Sequence, residues 1–124
     1  MSLAAGFTPD PADFAIFAGG GVDASYLGPA CFGFGGVAPD IRLQWDGTGG
    51  FLRIYFIPDQ FADAAMVVND PTGQWLCNDD AFGLDPGIDW ASAPSGIYDI
   101  WVTSLAADEL PDGTLSITEL TINP

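Results

Sequence analysis

IRLQWD, residues 41–46, alternates apolar and polar side chains at every position. Successive side chains of a β-strand point to opposite faces of the sheet, so Ile41, Leu43 and Trp45 share one face. The pattern predicts a half-buried strand, with Trp45 in the core and the polar residues in solvent.

A second alternating run, residues 51–57, follows the Gly-rich turn at residues 46–50. Two alternating runs around a short turn are typical of a β-hairpin. The sequence therefore predicts that the two runs pair with each other and that Arg42 and Arg53 face outward.

A further hairpin is predicted over residues 65–80, with Pro71-Thr72-Gly73 between its strands. Proline and glycine at these positions supply the backbone angles of a tight reversal. Other short strands are predicted at residues 13–18, 88–91, 97–102 and 115–122, the last with a β-bulge near Thr118-Glu119.

Glycine and proline, 16 and 10 of the 124 residues, recur between these runs and leave little room for helices. Roughly seven or eight short strands joined by turns predict an all-β fold. We expect an antiparallel β-sandwich of jelly-roll type, with residues 1–124 forming a single domain.

The composition excludes several classes of function. The chain has 17 acidic residues, two basic residues and no histidine, for a formal net charge of −15. Nucleic-acid binding depends on clustered Lys and Arg, so no nucleic-acid partner is expected. A Ser-His-Asp triad and a histidine-ligated metal site are impossible without histidine.

Acid–base catalysis by carboxylates is the remaining route to an enzyme. Asp79 and Asp80 are adjacent, so in a strand their side chains point to opposite faces, which is poor geometry for acting on one glycosidic bond. The sequence therefore predicts a binding protein with no catalytic residues.

Cys31 and Cys77 are the two cysteines of the chain. An even number of cysteines in a small, Gly-rich, all-β chain favours a disulfide, and closing a loop of about 46 residues is worth about 4 kcal/mol in the chain-entropy estimate. Two buried thiols in a cytosolic protein are the alternative.

A disulfide predicts an exported protein, periplasmic or extracellular, whose leader was removed before this numbering. No apolar run approaches the roughly 20 residues of a membrane-spanning helix, so no membrane insertion is expected.

Oxygen-bearing side chains concentrate in and after the second hairpin, at Asp70, Asn78, Asp79, Asp80 and Asp85. Ca²⁺ takes six to eight oxygen ligands from carboxylates, amides and backbone carbonyls. These five residues are therefore predicted to form a Ca²⁺ site. The alternative is that they cap their own turns and that their charge is solvated.

The same region carries a family resemblance. VVNDPTGQWLCNDD (residues 67–80), followed by PSGIYDIWV (residues 94–102), resembles the bacterial pre-peptidase C-terminal domain: an apolar strand, a turn with glycine, a strand ending in Asp-Asp, and later a Gly-x-Tyr-x-Ile-x-Val strand. The match covers about residues 50–105. It implies a secreted, non-catalytic jelly roll that serves an exported hydrolase as an accessory module, with Ca²⁺ bound in some relatives. The partner is predicted to be an unidentified protein or polysaccharide.

The four tryptophans suggest an alternative function. Trp101 shares a face of its predicted strand with Asp99, opposite Tyr98, Ile100 and Val102, and is therefore expected to be exposed. An exposed tryptophan on a β-sandwich can stack on a sugar ring while a neighbouring Asp bonds the hydroxyls. Trp101 and Asp99 are thus candidate ligand-binding residues of a carbohydrate-binding module. A role in the core or an interface is the other interpretation of the tryptophans.

Overall fold

The computed structural model describes residues 1–60, 62–107 and 109–123. These residues form eleven strands and one short 3-10 helix, η1. The elements, in chain order, are β1 (Ser2–Ala4), β2 (Ala12–Phe17), β3 (Val22–Asp23), η1 (Ala24–Leu27), β4 (Phe34–Gly35), β5 (Ile41–Asp46), β6 (Leu52–Pro58), β7 (Ala64–Asn69), β8 (Trp75–Asn78), β9 (Gly87–Trp90), β10 (Gly96–Ser104) and β11 (Asp112–Thr118).

Eight of these strands form antiparallel pairs that are nested inside one another along the chain. β2 pairs with β11, β5 with β10, β6 with β9, and β7 with β8. The first sheet has the order β5-β10-β7-β8 and the second has the order β2-β11-β6-β9. Nested pairs shared between two sheets are the connectivity of a jelly roll, so the predicted β-sandwich is confirmed.

Three short strands extend the first sheet. β1 runs parallel to β5, β4 pairs with the last residue of β10, and β3 pairs with β4. These three strands lie in segments where the sequence shows little alternation, and they were not predicted.

One cluster of buried side chains fills the space between the two sheets. Leu43 and Trp45 of β5 face it from the first sheet, and Leu52, Ile54 and Phe56 of β6 face it from the second. The predicted core position of Trp45 is therefore confirmed.

The predicted hairpin between residues 41–46 and 51–57 is wrong, although both runs are strands. β5 pairs with β10 and β1, whereas β6 pairs with β11 and β9 in the other sheet. The loop between β5 and β6 crosses from one sheet to the other. The crossing lets the apolar faces of both strands bury against each other across the core, which a hairpin within one sheet does not allow.

The two arginines therefore lie on opposite outer faces of the sandwich. Arg42 is 65% exposed and pairs with Asp99, as expected of an outward-facing residue. Arg53 points away from the core but is only 11% exposed, because it lies between the rings of Phe51 and Phe82.

The last strand ends earlier than predicted. β11 stops at Thr118, and Leu120 and Ile122 are exposed beyond it, so no bulge continues the strand. Asp10 terminates β11 by accepting hydrogen bonds from the Thr118 hydroxyl and from the backbone N–H of Glu119, the latter at 3.0 Å.

In the part of the chain that the structure describes, no helix has the length and apolar character needed to cross a membrane.

Candidate functional site

Asp70 is a turn-forming residue of the β7–β8 hairpin. Its Oδ1 accepts hydrogen bonds from the Thr72 hydroxyl at 2.6 Å and from the backbone N–H groups of Thr72 and Gln74 at 2.9 and 3.2 Å. Burial raises the pKa of Asp70, but these bonds outweigh it, and the pKa lies below its usual value. Oδ1 is thus occupied by its own turn, and Oδ2 accepts a hydrogen bond from Nε1 of the core residue Trp90 at 3.5 Å.

Asn78 lies at the other end of the same hairpin, opposite Met66 in the register. Its Oδ1 accepts hydrogen bonds from the N–H groups of Ala81 and Gly87 at 3.0 and 3.1 Å, which shapes the loop of residues 79–86. Asp70 is therefore separated from Asn78 by the length of β8.

Asp79, Asp80 and Asp85 lie in the loop of residues 79–86. Burial, followed by the charge of Asp80, raises the pKa of Asp79, and burial raises the pKa of Asp85. Asp85 also exchanges two backbone hydrogen bonds with Phe82, both at 3.0 Å, which closes the turn.

The structure thus does not bring the five predicted Ca²⁺ ligands together: one lies at the turn of the hairpin and four at or beyond its other end. Within residues 1–60, 62–107 and 109–123, no set of three or more Cys, Asp or Glu side chains is arranged as metal ligands. Ca²⁺ binding stays a prediction of the sequence.

The predicted disulfide between Cys31 and Cys77 is present, with a Cα–Cα distance of 5.1 Å. Cys77 is on β8, at the edge of the first sheet, and Cys31 is in the segment between η1 and β4. The bond therefore attaches that segment to the sheet.

The outer face of β10 carries the two predicted ligand-binding residues. Tyr98, Ile100 and Val102 are fully buried, whereas Asp99 and Trp101 are on the opposite, outer face. The predicted orientation of Trp101 is confirmed, but its side chain is half-buried rather than exposed, because it lies in the groove beneath the wall.

Asp99 is paired with Arg42. Its Oδ1 and Oδ2 accept hydrogen bonds from Nε and Nη2 of Arg42 at 2.7 and 3.1 Å. The pair spans the β5–β10 ladder, where Arg42 and Asp99 are directly opposite.

Trp75 is a site residue that the sequence prediction missed. It is 42% exposed, and its ring centroid lies 5.5 Å from that of Trp101, with 41° between the ring planes. Its position follows from the register, because Trp75 is opposite Asn69 and Asn69 is opposite Asp99. Trp75 therefore lies on the same outer face as Asp99 and Trp101.

A segment of residues 22–37, here called the wall, lies beside this tryptophan pair. It comprises β3, η1 and β4, and Asp23 caps η1 by accepting a hydrogen bond from the backbone N–H of Ser25 at 2.9 Å. Gly33 lets the wall approach β10: its φ is +89°, and a Cβ there would lie 2.8 Å from the backbone oxygen of Ser104.

The wall and the first sheet together enclose a cavity of about 300 Å³, here called the aromatic groove. Its main lining residues are Val22, Tyr26, Leu27 and Val37 from the wall, and Val67, Trp75, Trp101 and Thr103 from the sheet. None of these side chains is a carboxylate, thiol or ammonium group. The groove is therefore a mainly apolar recess with three aromatic side chains, Tyr26, Trp75 and Trp101, in a strongly acidic protein.

Comparison of the chain with protein-family models and with curated proteins finds no match. The resemblance to the pre-peptidase C-terminal domain stays a prediction from the residues that carry it.

Proposed function

We propose that the protein is a non-catalytic carbohydrate-binding domain that takes a neutral sugar residue of a polysaccharide into the aromatic groove. The observation that carries the proposal is the pair of Trp75 and Trp101, whose rings lie side by side on the outer face of the first sheet. Tryptophan rings offer a large apolar face, and the C–H face of a sugar ring is the complementary surface.

The charge distribution favours a neutral ligand. The chain carries a net charge of −15, and its two arginines are each held by an aspartate, Arg42 by Asp99 and Arg53 by Asp89. A carboxylated or sulfated polysaccharide would meet a negative field on approach. A neutral polysaccharide has no such barrier.

Polar groups are present at the edges of the groove. The Tyr26 hydroxyl can exchange a hydrogen bond with a sugar hydroxyl, since Tyr26 lines the groove and is 75% exposed. Thr103 is only 1% exposed, and its hydroxyl donates to the backbone oxygen of Phe32 at 2.7 Å, so it holds the wall rather than a ligand. The backbone groups of Gly35 and Gly36 also lie in the lining. A few polar groups within an apolar recess are the usual composition of a small-molecule site.

The proposal places the protein outside the cytoplasm, and the Cys31–Cys77 disulfide supports this location because disulfides persist in oxidising compartments. It also keeps the accessory role that the family resemblance implies: the domain would hold an exported hydrolase close to a polysaccharide.

Titration with neutral oligosaccharides tests the proposal. We expect hexasaccharides of glucose, xylose or mannose to change tryptophan fluorescence, and hexasaccharides of uronic acids to have no effect. Trp75→Ala and Trp101→Ala should each weaken binding by about tenfold or more, equivalent to about 1.4 kcal/mol.

Phe17→Ala is the matched control for these variants. Phe17 is also an exposed aromatic residue, but it lies at the end of β2 in the second sheet, so its loss should leave binding unchanged. Absence of binding by every neutral hexasaccharide would refute the proposal.

A protein partner is the second candidate, and the exposed rim of the wall favours it. Val37 is 90% exposed and Tyr26 is 75% exposed, although both line the groove. An apolar side chain of a partner protein would bury this rim, which a single sugar ring covers less well. Tight binding of an apolar peptide with no binding of sugars would support this candidate.

A further inference from the structure

The wall is rich in glycine and makes little contribution to the core. Four glycines, Gly28, Gly33, Gly35 and Gly36, occur within residues 22–37. All of residues 22–37 are described, and none of them belongs to the buried cluster between the sheets. Glycine gains the most conformational freedom when a segment detaches, so the wall depends on specific connections to stay in place.

Three bonded connections join the wall itself to the first sheet. Its apolar residues also pack against the sheet at the groove, and just outside its two ends the N–H groups of Gly19 and Asp40 donate to the backbone oxygens of Val102 and Ile100 at 2.9 and 2.8 Å. Phe34 pairs with Ser104 at the end of β10, and the Thr103 hydroxyl donates to the backbone oxygen of Phe32. The third connection is the Cys31–Cys77 disulfide. The first two are single contacts, and a typical hydrogen bond is worth only about 1 kcal/mol net.

The disulfide lies beside the aromatic groove, next to the lining residue Val67. In the register, Cys77 is opposite Val67, and Val67 is opposite Trp101, so the three residues form one row across β8, β7 and β10. Trp75 precedes Cys77 by two residues and lies on the same face of β8. The covalent bond therefore fixes the wall directly beside both tryptophans.

From this geometry we infer that Cys31 and Cys77 are positioning residues for the groove: their disulfide holds the wall against the tryptophan pair, and reduction dismantles the site while the sandwich stays folded. The claim that the disulfide holds the wall in place rests on these contacts alone. Only the expected loss of sugar affinity on reduction rests on the proposed function. The binding site is thus competent in an oxidising compartment and incompetent in a reducing one.

The switching reaction is thiol–disulfide exchange with a dithiol reductant. A thiolate of the reductant attacks one of the two sulfurs and the S–S bond breaks, which leaves a mixed disulfide and one free thiol. The second thiolate of the reductant then displaces the other cysteine. The protein gains two electrons and two protons, and the reductant becomes a disulfide.

The four tryptophans report separately on the groove and the core. Trp75 and Trp101 lie at the groove, whereas Trp45 and Trp90 are buried in the core cluster. Acrylamide is a suitable quencher because it is neutral and is not repelled by the negative charge of the protein. Comparison with Trp75→Phe and Trp101→Phe assigns the quenching to the groove pair.

The experiment compares the oxidised protein, the protein reduced with dithiothreitol, and the double variant Cys31→Ala/Cys77→Ala, with intact mass as the check of cysteine state. In the last two forms we expect more quenching of the groove tryptophans and unchanged quenching of the core pair. Hydrogen exchange should show loss of protection in residues 22–37 and retained protection in β5, β7 and β10.

Affinity for the neutral hexasaccharide that binds best should fall by about tenfold or more in the reduced forms, because apparent affinity scales with the fraction of molecules in the competent state. If no hexasaccharide binds the oxidised protein, the proposed function fails, and quenching and exchange still decide the inference.

Two results would overturn it. Unchanged protection of residues 22–37 in the double variant would show that the wall stays in place without the disulfide. Global unfolding of the double variant would show that the bond serves the fold and not the groove in particular.

Discussion

Arg53 and Asp89 form a two-point ion pair across the β6–β9 ladder, with Nε–Oδ1 and Nη2–Oδ2 distances of 2.7 and 2.9 Å. Nη1 of the same guanidinium donates to the backbone oxygen of Ile122 at 2.6 Å. The rings of Phe51 and Phe82 cover it, at 5.3 and 4.8 Å from its central carbon. One side chain thus connects β9, the loop of residues 79–86 and the segment after β11.

Arg53→Ala should lower the free energy of unfolding by about 1–3 kcal/mol, because it removes three charge-assisted hydrogen bonds and the cation–π contacts together. Arg42→Ala is the matched control. Arg42 makes a similar pair with Asp99 but is largely exposed, so its removal should cost clearly less. Urea unfolding of both variants measures the difference, and equal losses would contradict the prediction.

Asp70→Ala should lower the free energy of unfolding by about 1–3 kcal/mol, because Thr72 and Gln74 lose their shared acceptor in the β7–β8 turn. The pKa of Asp70 is lower in the folded protein, so its contribution is present above its usual value of 3.8 and is lost as pH falls below it. Asp80→Ala, at an exposed position, should cost much less. Thermal melts at neutral and acidic pH test both statements.

The contribution of Asp40 to stability should depend on pH in the opposite direction to that of Asp70. Burial raises its pKa from 3.8 to about 6, although a 2.7 Å hydrogen bond from the backbone N–H of Val102 partly offsets this. Folding therefore favours the protonated carboxyl, so its contribution is greatest below pH 3.8 and is lost as pH rises through about 6.

Asp40→Asn removes this titration and keeps an acceptor for Val102. The stability of the Asp40→Asn variant relative to the unaltered protein should therefore increase as pH rises from 4 to 7. Midpoints of urea unfolding, measured for both proteins at several pH values in this range, would show the increase. Parallel curves for the two proteins would contradict the prediction.

The sequence predicts that Ca²⁺ raises the melting temperature, and the structure changes which residues should matter for this effect. Asp79, Asp80 and Asp85 share one loop, whereas Asp70 is held in the turn at the far end of β8. Asp80→Ala should therefore abolish the Ca²⁺ shift, and Asp70→Asn should retain it. A melting temperature that does not respond to saturating Ca²⁺ or to chelator would exclude the ion.

The face of a strand to which each side chain points was predictable from the sequence. The alternation of residues 97–102 correctly separated buried Tyr98, Ile100 and Val102 from outward-facing Trp101. A period of two is a local property, and it is set by the strand geometry itself.

Pairing between strands was less predictable, because it depends on residues far apart in the chain. Nothing in the Gly-rich residues 47–50 distinguishes a hairpin turn from a crossing between sheets, and β5 has its partner in β10. Trp75 was missed for the same reason. In β8, Trp75 and Cys77 face outward and Leu76 packs on the core, but the sequence has apolar residues on both faces and so does not show which face is buried. Only the register with β7 and β10 decides which face is outside.

The nested order of the strand pairs has a consequence for how the chain folds. The β7–β8 pair closes over one short turn, whereas β2 and β11 meet across almost the whole chain. Because the entropy lost in closing a loop grows with its length, we expect assembly to begin at the innermost hairpin and to spread outward pair by pair. On this route the edge strand β2 is the last to dock, and hydrogen exchange during refolding should find it protected latest.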